Sequence, residues 1–356
     1  MYEGMKVSQF GFFDESERLD RLTRLHDPLL DLSRLIDFEI FRPVLKEAFS
    51  KLQRGERKSP AGRKPLDPVF MLKILILQRN QNLSDQQVEI QVLDRSTFRR
   101  FLGITAEADV PDFSTVWRFR DSLAKADAIK PLFDAFAAVL EEKGLILKAG
   151  TIVDATFVEV PRQRNTPEEN ETIKRGEVPE AWKENPHKLC QKDIDARWTK
   201  KNEVSFYGYK NHVKADAGSK LLTDYEVSDA SVHDSQRLDA LVTEENRGES
   251  LFADGAYKSG ECDERLRSLG VGNYIHHKGA RNHPLGEMQK AINSVKSKVR
   301  CTVEHIFGFM ENSMGGPQLE YIGLKRISAG IGLTNLTYNI RRYIQLVKMG
   351  MEARQA

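Results

Sequence analysis

The chain has 356 residues, of which 30% are charged, and its 54 basic and 52 acidic side chains leave a net charge of +2. Its mean hydropathy is −0.49, and its longest apolar run is too short to span a bilayer, so the sequence predicts a soluble, cytoplasmic protein with no membrane partner. The three cysteines, Cys190, Cys262 and Cys301, lie too far apart for a disulfide framework or a zinc motif, which fits a reducing compartment.

Charge is distributed unevenly along the chain. Residues 1–41 contain five basic and nine acidic residues, whereas residues 42–105 contain thirteen basic and six acidic ones. A second basic stretch, residues 277–300, has six basic residues and one acidic residue. Because local surface charge attracts nucleic acid even when net charge is small, both basic stretches are candidates for DNA contact.

Residues 1–50 are predicted to form an acidic leader that ends in a helix near 38–52. The segment 51–65 is basic and is interrupted by glycine, serine and proline, so it is either a solvated linker or an arm lying along a phosphate backbone. The basic side chains of this segment are Lys51, Arg54, Arg57, Lys58, Arg63 and Lys64.

Only helices are predicted between this segment and residue 148. Pro68 suits a first helical turn, Ser84 and Gln87 form a capping box, and Ser114 is expected to cap a later helix. The predicted helices are 66–79, 84–93, 96–102, one after Ser114, and 128–144. Their spacing is similar to that of helix-turn-helix proteins, and the basic excess favours DNA over a protein partner for a domain at 51–148. The candidate DNA contacts in these helices are Arg95, Arg99, Arg100, Arg118 and Arg120.

Beyond Gly150 the pattern changes to the period of two that is typical of strands. In the strand 151–160, Asp154 shares a face with Ile152, Thr156 and Val158. An isolated carboxylate in such an apolar run destabilises the fold by several kcal/mol unless it is paired, protonated or bound to metal. A cap at the end of a strand is the alternative reading.

A second aspartate, Asp254, ends the short apolar strand in 250–257, and Gly255 opens the turn that follows. Acids at the carboxyl ends of strands lie where α/β sheets bind ligands. The helix predicted at 288–311 places Arg300 and Glu304 one turn apart at the rim of its apolar face. A solvated ion pair is the alternative there. Together the three acids could converge on a divalent cation, because carboxylate oxygens suit Mg²⁺ and Mn²⁺.

The order of the remaining elements predicts a ribonuclease H-like α/β domain, a mixed five-stranded sheet with helices, over 149–347. Strands are expected at 205–215, 221–228 and 272–277, and helices at 234–245, 260–269 and 325–347. In this fold the first and fourth strands are neighbours, which would bring Asp154 to Asp254. The polar segment 162–203 is predicted to be a long surface loop inserted after the first strand, either ordered and functional or disordered.

A family resemblance rests on the motifs VDATFVEVP, GYKNHVKAD, SVHD, FADGAY and RCTVEH, which occur in this order. The chain resembles the DDE transposases of bacterial insertion sequences, the group often called IS-five within the IS-four superfamily. The resemblance covers roughly residues 60–345. It implies that Asp154, Asp254 and Glu304 are the catalytic and metal-binding triad, supported by Arg300 and Tyr257.

Two histidines, His212 and His233, lie within the shared motifs. Near the acids they would hydrogen-bond the metal ligands or the scissile phosphate, although capping histidines at strand or helix ends are equally consistent with the sequence. The family often has a tyrosine before the arginine and a lysine after the glutamate, where this chain has Ser297 and Glu311. Lys296 and Lys298 are therefore expected to take over the phosphate contact.

The resemblance implies a transposase that binds the terminal inverted repeats of an insertion sequence and then cleaves and joins DNA. The expected cofactor is a pair of Mg²⁺ ions, with Mn²⁺ as a substitute, because two such ions would clamp the attacking and leaving oxygens of a phosphoryl transfer. The partners would be the double-stranded transposon ends, target DNA and a second copy of the chain, as a dimer on DNA near the nucleoid. A related nuclease and an inactive DNA-binding regulator are the alternatives.

Overall fold

The computed structural model describes residues 14–52, 65–104, 110–201, 203–279, 283–316 and 319–351. Within these ranges the chain is helical up to residue 142, as predicted from residue 38 onwards, and the predicted acidic leader contains two further helices. The helices are α1 (Asp14–Arg24), α2 (Pro28–Leu35), α3 (Arg42–Leu52), α4 (Pro68–Asn80), α5 (Asp85–Asp94), α6 (Ser96–Leu102), α7 (Phe113–Lys125) and α8 (Ile129–Glu142), with a 3₁₀ turn at Phe38–Phe41.

Side-chain caps fix where several of these helices begin, because the first backbone N–H groups of a helix lack partners within it. The predicted capping box is confirmed: the Gln87 N–H donates to Ser84 Oγ at 3.2 Å, and the Ser84 N–H donates to the Gln87 side chain at 2.9 Å. The cap of α7 was predicted wrongly. Asp112 rather than Ser114 caps it, since the Thr115 N–H donates to Asp112 Oδ1 at 2.8 Å.

A mixed sheet follows, and β3 is its central strand. β3 pairs antiparallel with β1, β2 and β4, while β1 pairs in parallel with β5 and β5 in parallel with β6. Without β2, the order β4–β3–β1–β5–β6 is that of the ribonuclease H-like fold, and the predicted fold class is confirmed. The strands are β1 (Thr151–Glu159), β2 (Arg197–Lys201), β3 (Val204–Asp216), β4 (Leu222–Asp229), β5 (Ser250–Phe252) and β6 (Gly272–Asn273).

The two faces of the sheet are covered by different helices. Asp154 is opposite Val213 in the β1–β3 register, and Ala155 is opposite His212, so the two pairs point to opposite faces. The face of Asp154 is covered by α15 (Thr302–Ser313) and α16 (Leu324–Lys348). The other face packs against α12 (Leu238–Leu241) and α13 (Gly260–Leu269).

The last helix, α16, joins the helical part of the chain to the sheet. It contacts α2, α4, α7 and α8 on one side and β4 on the other. One apolar core therefore runs without interruption from Leu29 and Phe133 through Val213 to Leu333. The predicted boundary near residue 148 marks the change from helices to strands, but it does not separate two hydrophobic cores.

The predicted long helix at 288–311 is two helices, α14 (Glu287–Arg300) and α15, which meet at Cys301. The N–H of Glu304 bonds to the carbonyl of Cys301, three residues back, so the helix is tightened at this junction. Only the second half of the predicted apolar face is buried. Met288 and Val295 are 79% and 65% exposed, because β5 and β6 are three and two residues long and leave little sheet surface beneath α14.

Other element boundaries also differ from the prediction. The helix expected at 234–245 is divided into the 3₁₀ turn Asp234–Arg237, α12 and the 3₁₀ turn Glu244–Asn246. The strand expected at 272–277 is limited to Gly272–Asn273. Helix α13, by contrast, has the predicted bounds.

The insertion at 162–203, predicted to be a long surface loop that is either ordered or disordered, contains regular secondary structure. It contains α9 (Pro167–Lys174), α10 (Glu180–Lys183), α11 (Pro186–Leu189) and β2, which extends the sheet. Its anchor is Trp182, which is completely buried and donates its indole N–H to Glu169 at 2.6 Å. A buried aromatic ring with a satisfied polar group gives this segment a small core of its own.

Asn339 of α16 offers a test of how the last helix is held on the sheet. Its side chain accepts from the Leu222 N–H at 2.9 Å and donates to the Leu222 carbonyl at 2.8 Å. We expect Asn339→Ala to lower the free energy of unfolding by about 2–4 kcal/mol, because two buried backbone groups lose their partners. Urea unfolding measures this, with Asn312→Ala on the exposed side of α15 as the control; equal midpoints for the two variants would contradict the assignment.

Candidate active site

Asp154 and Asp254 lie at the same level on neighbouring strands. In the parallel β1–β5 pair, Ile152 is opposite Phe252, and each aspartate follows two residues later on the same face. The carboxylate of Asp254 accepts the N–H of Ala256 at 2.7 Å, which fixes it at the start of the turn Gly255–Tyr257. The structure therefore brings together the two strand acids that the sequence singled out.

Glu304 is linked to this pair through Arg300. The two terminal nitrogens of the guanidinium bond to different acids, Nη1 to Asp154 Oδ2 at 3.2 Å and Nη2 to Glu304 Oε1 at 2.6 Å. The Arg300 and Asp154 side chains are 20% and 17% exposed, whereas that of Glu304 is 60% exposed. The predicted pair of Arg300 with Glu304 thus exists, but it also reaches across to the strand acid.

Burial raises the pKa of Asp154 to about 6. The backbone N–H of Ala155, which donates to Asp154 Oδ1 at 2.8 Å, lowers this pKa, while the negative charge of Asp254 raises it. Arg300 and Lys201 lower it further by their positive charge. Because the pKa of Asp154 is raised overall, the surroundings do not fully compensate the negative charge of its ionised carboxylate. A bound cation would compensate that charge.

The donor set suits a hard divalent cation, since it consists of carboxylate oxygens. In the part of the chain that the structure describes, no three histidine, cysteine or acidic side chains are grouped closely enough to hold a metal ion. Arg300 lies between Asp154 and Glu304 instead. The three carboxylates are chemically suited to a metal site. Glu304 would have to exchange its bond to Arg300 for one to the metal to complete the site.

Tyr257 is buried in the core on the face of the sheet opposite Asp154, and its hydroxyl has no hydrogen-bond partner among the described residues. Burial raises the pKa of Tyr257 well above its usual value, and the charges of Asp234, Asp154 and Asp254 act in the same direction. The hydroxyl therefore stays protonated and is a spare donor close to the acids.

The two histidines bond to serines and not to the acids, so the hydrogen bonds to metal ligands that were predicted for them are not observed. His212 is on the opposite face of the sheet from Asp154, completely buried, with Nε2 bonded to Ser228 Oγ at 2.9 Å. Burial lowers the pKa of His212 to about 4. His233 is exposed and caps the turn that begins at Asp234, bonding Ser235 through Nδ1 at 2.8 Å. For His233 the capping alternative is the one observed.

The same motifs contain a pair that the sequence reading overlooked. Lys210 of GYKNHVKAD bonds to Asp234 of SVHD at 2.8 Å, and both side chains are largely buried. Lys201 was also missed, because β2 was not predicted. The presence of Lys210 and Asp234 within the two motifs was the only available signal.

Two of the predicted DNA contacts have structural roles instead. Arg120 is 6% exposed, and it forms a bidentate bond with Asp85 at 2.6 and 2.8 Å. Arg100 bonds to Asp27 at 2.6 Å and to Thr23 at 2.9 Å. Both guanidinium groups bond to side chains of the helical part of the chain, so the prediction that they contact DNA is corrected for both residues.

The other basic candidates differ in how accessible they are. Arg118 is exposed, and Arg95 is exposed above the ring of Phe98. Lys51 is exposed and paired with Glu47, and Arg99 is partly buried. Arg54, Arg57, Lys58, Arg63 and Lys64 lie outside the described residues.

On α14 the two lysines are not equivalent. Lys298 is exposed, whereas Lys296 is partly buried and donates to the Ile275 carbonyl at 2.7 Å. Burial lowers the pKa of Lys296, and the charge of Lys258 lowers it further. Glu311 lies at the rim of a cavity of about 510 Å³, counting its solvent-open part, together with Thr156 and Asn211.

The fold and the site together indicate a ribonuclease H-like domain in which Asp154 lies within β1 and Asp254 lies two residues beyond the end of its parallel neighbour β5. A family model described as "Transposase DDE domain" matches residues 147–340, and one described as "Transposase domain (DUF772)" matches residues 17–122. The chain belongs to the DDE transposases of the IS-four type superfamily. Members of this family generally depend on a divalent metal.

Among solved structures, the chain is similar to a piggyBac transposase synaptic complex with hairpin DNA, determined by cryo-electron microscopy. The sequence identity is 13% and the TM-score 0.48, over 94% of this chain and 78% of that one. Across the described residues, no helix is both long enough and apolar enough to cross a membrane.

The raised pKa of Asp154 predicts a pH-dependent stability. An unfolded aspartate ionises near pH 4, so between about pH 4 and pH 6 the native state retains a proton that the unfolded state has lost. Stability therefore falls as pH rises through this window, and above it the ionised Asp154 lowers the free energy of unfolding by on the order of 2 kcal/mol. We expect Asp154→Asn to be more stable than the wild type at pH 8 in metal-free buffer and equally stable near pH 4.

Urea unfolding at the two pH values, in the presence of a chelator, measures the difference. Asp239→Asn in α12 is the matched control, since that carboxylate is exposed and paired with Arg265. A gain in stability for Asp154→Asn that is the same at both pH values would show that charge burial is not its cause.

Proposed function

We propose that this chain is a transposase that binds the terminal inverted repeats of an insertion sequence and carries out metal-dependent DNA cleavage and strand transfer. The observation that carries the proposal is the placement of Asp154 beside Asp254 on parallel strands, with Glu304 linked to them through Arg300. Such an arrangement destabilises the apo protein, as the raised pKa of Asp154 indicates. Membership of the DDE family supports the same conclusion.

Asp154, Asp254 and Glu304 would hold the metal, two Mg²⁺ ions with Mn²⁺ as a substitute. When bound, these ions supply Lewis-acid activation of the attacking oxygen and stabilisation of the leaving one. The protein orients the acids: the Ala155 and Ala256 N–H groups fix one oxygen each of Asp154 and Asp254. The exposed carboxylate of Glu304 is free to change partner. No covalent intermediate on the protein is needed.

The DNA would lie across the Asp154 side of the molecule. Lys298 is exposed on α14, the helix that also carries Arg300, and Arg95 and Arg118 are exposed on the helical part of the chain. These residues, with Lys51 and the basic segment 53–64, are the proposed phosphate contacts. Phosphate contacts position DNA without reading its sequence, so recognition of the inverted repeats requires further contacts from the helical part.

The proposed assembly is a dimer on DNA that joins two transposon ends to a target, in the cytoplasm at the nucleoid. A transposase must hold two ends at once, and two copies of one chain are the simplest way to do so.

The triad assignment predicts the behaviour of three isosteric variants. We expect Asp154→Asn, Asp254→Asn and Glu304→Gln each to abolish cleavage while DNA binding persists, because each variant loses a carboxylate ligand and keeps its shape. The substrate is a duplex containing the DNA that flanks the reading frame on each side, incubated with Mg²⁺ or Mn²⁺. Glu261→Gln, an exposed acid of α13, is the control.

Near wild-type cleavage by any one of the three variants would show that the triad is misassigned. Cleavage without joined product in the wild type would instead identify a nuclease. DNA binding without any acid-dependent cleavage would identify a regulator.

The difference between the two lysines of α14 gives a separate prediction. Lys298→Ala should weaken DNA binding and reduce the slope of log affinity against log salt by about 0.9, as expected for one lost phosphate contact. Lys296→Ala should mainly lower the melting temperature, because its ammonium group is bonded to the Ile275 carbonyl. Binding isotherms at several salt concentrations measure the slope, with Lys290→Ala, paired to Glu287 on the same helix, as the control. An unchanged slope for Lys298→Ala would remove it from the interface.

A further inference from the structure

We propose that Arg300 is a displaceable counter-ion, whose guanidinium group takes the place of the divalent cation between Asp154 and Glu304 in the metal-free protein. Cation and guanidinium then compete for the same carboxylate oxygens. This inference rests on the proposed function, in which these carboxylates hold the metal.

The bonds of Arg300 involve the oxygens that a cation would use. Asp154 Oδ1 already accepts the Ala155 N–H at 2.8 Å, so Oδ2 is the oxygen left for another partner, and Nη1 of Arg300 lies 3.2 Å from it. The second terminal nitrogen, Nη2, bonds to Glu304 Oε1 at 2.6 Å. One positive group therefore bridges an acid of β1 and an acid of α15. A charge-assisted bridge of this kind offsets the repulsion between the two carboxylates.

The bridge is incomplete in a way that favours exchange. The Nε atom of Arg300 is buried and has no hydrogen-bond partner among the described residues, which leaves a donor unsatisfied. The Glu304 side chain is 60% exposed, so it can rotate towards another partner. The carboxylate of Asp254 accepts the N–H of Ala256 rather than a bond from Arg300. A cation that binds Asp154, Glu304 and Asp254 together would gain a ligand that the guanidinium does not contact.

A permanent positioning role for Arg300 predicts the opposite result. If Arg300 only held Glu304 in the orientation needed for metal binding, removing it would weaken the affinity for metal. If it competes with the metal, removing it strengthens the affinity. The sign of the change in metal affinity therefore separates the two roles, and this measurement does not depend on DNA cleavage.

The experiment is a calorimetric titration of the full chain with Mn²⁺ after removal of metals by a chelator. We expect Arg300→Gln to bind Mn²⁺ about tenfold more tightly than the wild type, within the usual range of coupling between two binding events. Arg300→Lys, which retains the positive charge, should stay closer to the wild type. Lys290→Gln removes a charge from the same helix without touching the acids, and its affinity should be unchanged.

Thermal melting provides a second measurement on the same samples. Without metal, Arg300→Gln should melt at a lower temperature than the wild type, because the acids lose their counter-ion. With saturating Mn²⁺ it should gain more than the wild type does, since stabilisation increases with affinity. A cooperative melting transition also verifies that the variant is folded.

Unchanged or weaker Mn²⁺ binding by Arg300→Gln would overturn the counter-ion role. Failure of the proposed function looks different. If Asp254→Asn leaves the Mn²⁺ affinity of the wild type unchanged, or if neither the wild type nor Arg300→Gln binds Mn²⁺, the acids are not a metal site, and both proposals fall together.

Discussion

The burial of α16 holds the helical part of the chain and the sheet together. This helix lies between the helical part of the chain and the sheet, and it approaches the sheet so closely that a Cβ on Gly332 would be 2.2 Å from the hydroxyl oxygen of Tyr225. On its other side Tyr338 packs edge-on against Phe309 of α15, with ring centres 5.8 Å apart. Since α15 carries Glu304, its packing against β1 and against Tyr338 of the last helix sets the position of this candidate acid. The carboxylate is thereby positioned by apolar contacts away from it.

The electrostatics of the site follow from the sheet. Parallel pairing of β1 with β5 sets Asp154 beside Asp254. Burial and like charge then raise the free energy of the ionised pair. Within the described residues, positive charge is supplied from two directions, by Arg300 on α14 and by Lys201 on β2. Through Lys201 the insertion that contains β2 lowers the pKa of Asp154, while Trp182 is buried within the insertion itself.

Predictions from local pattern succeeded where the structure is governed by local interactions. The capping box at Ser84 and the bounds of α13 depend on neighbouring residues and hydrogen bonds within one turn. The helices of the insertion were not predicted, because they are short and depend on the buried Trp182. The DNA contact predicted for Arg120 was wrong because an arginine on a helix of a basic domain resembles a DNA contact, whereas its partner Asp85 is on another helix. Long-range partners of this kind leave no periodic signal.

The order of strands and helices was enough to predict the fold class, and carboxylates in apolar strands were enough to single out candidate acids, because such carboxylates require compensation. The position of His212 on the opposite face from Asp154 became known only with the strand register, since side chains alternate along each strand. Helix packing in turn places Arg300 between Asp154 and Glu304. That contact joins residues 146 positions apart in the chain, and its geometry depends on the packing of α14 and α15 against the sheet, which no local pattern specifies.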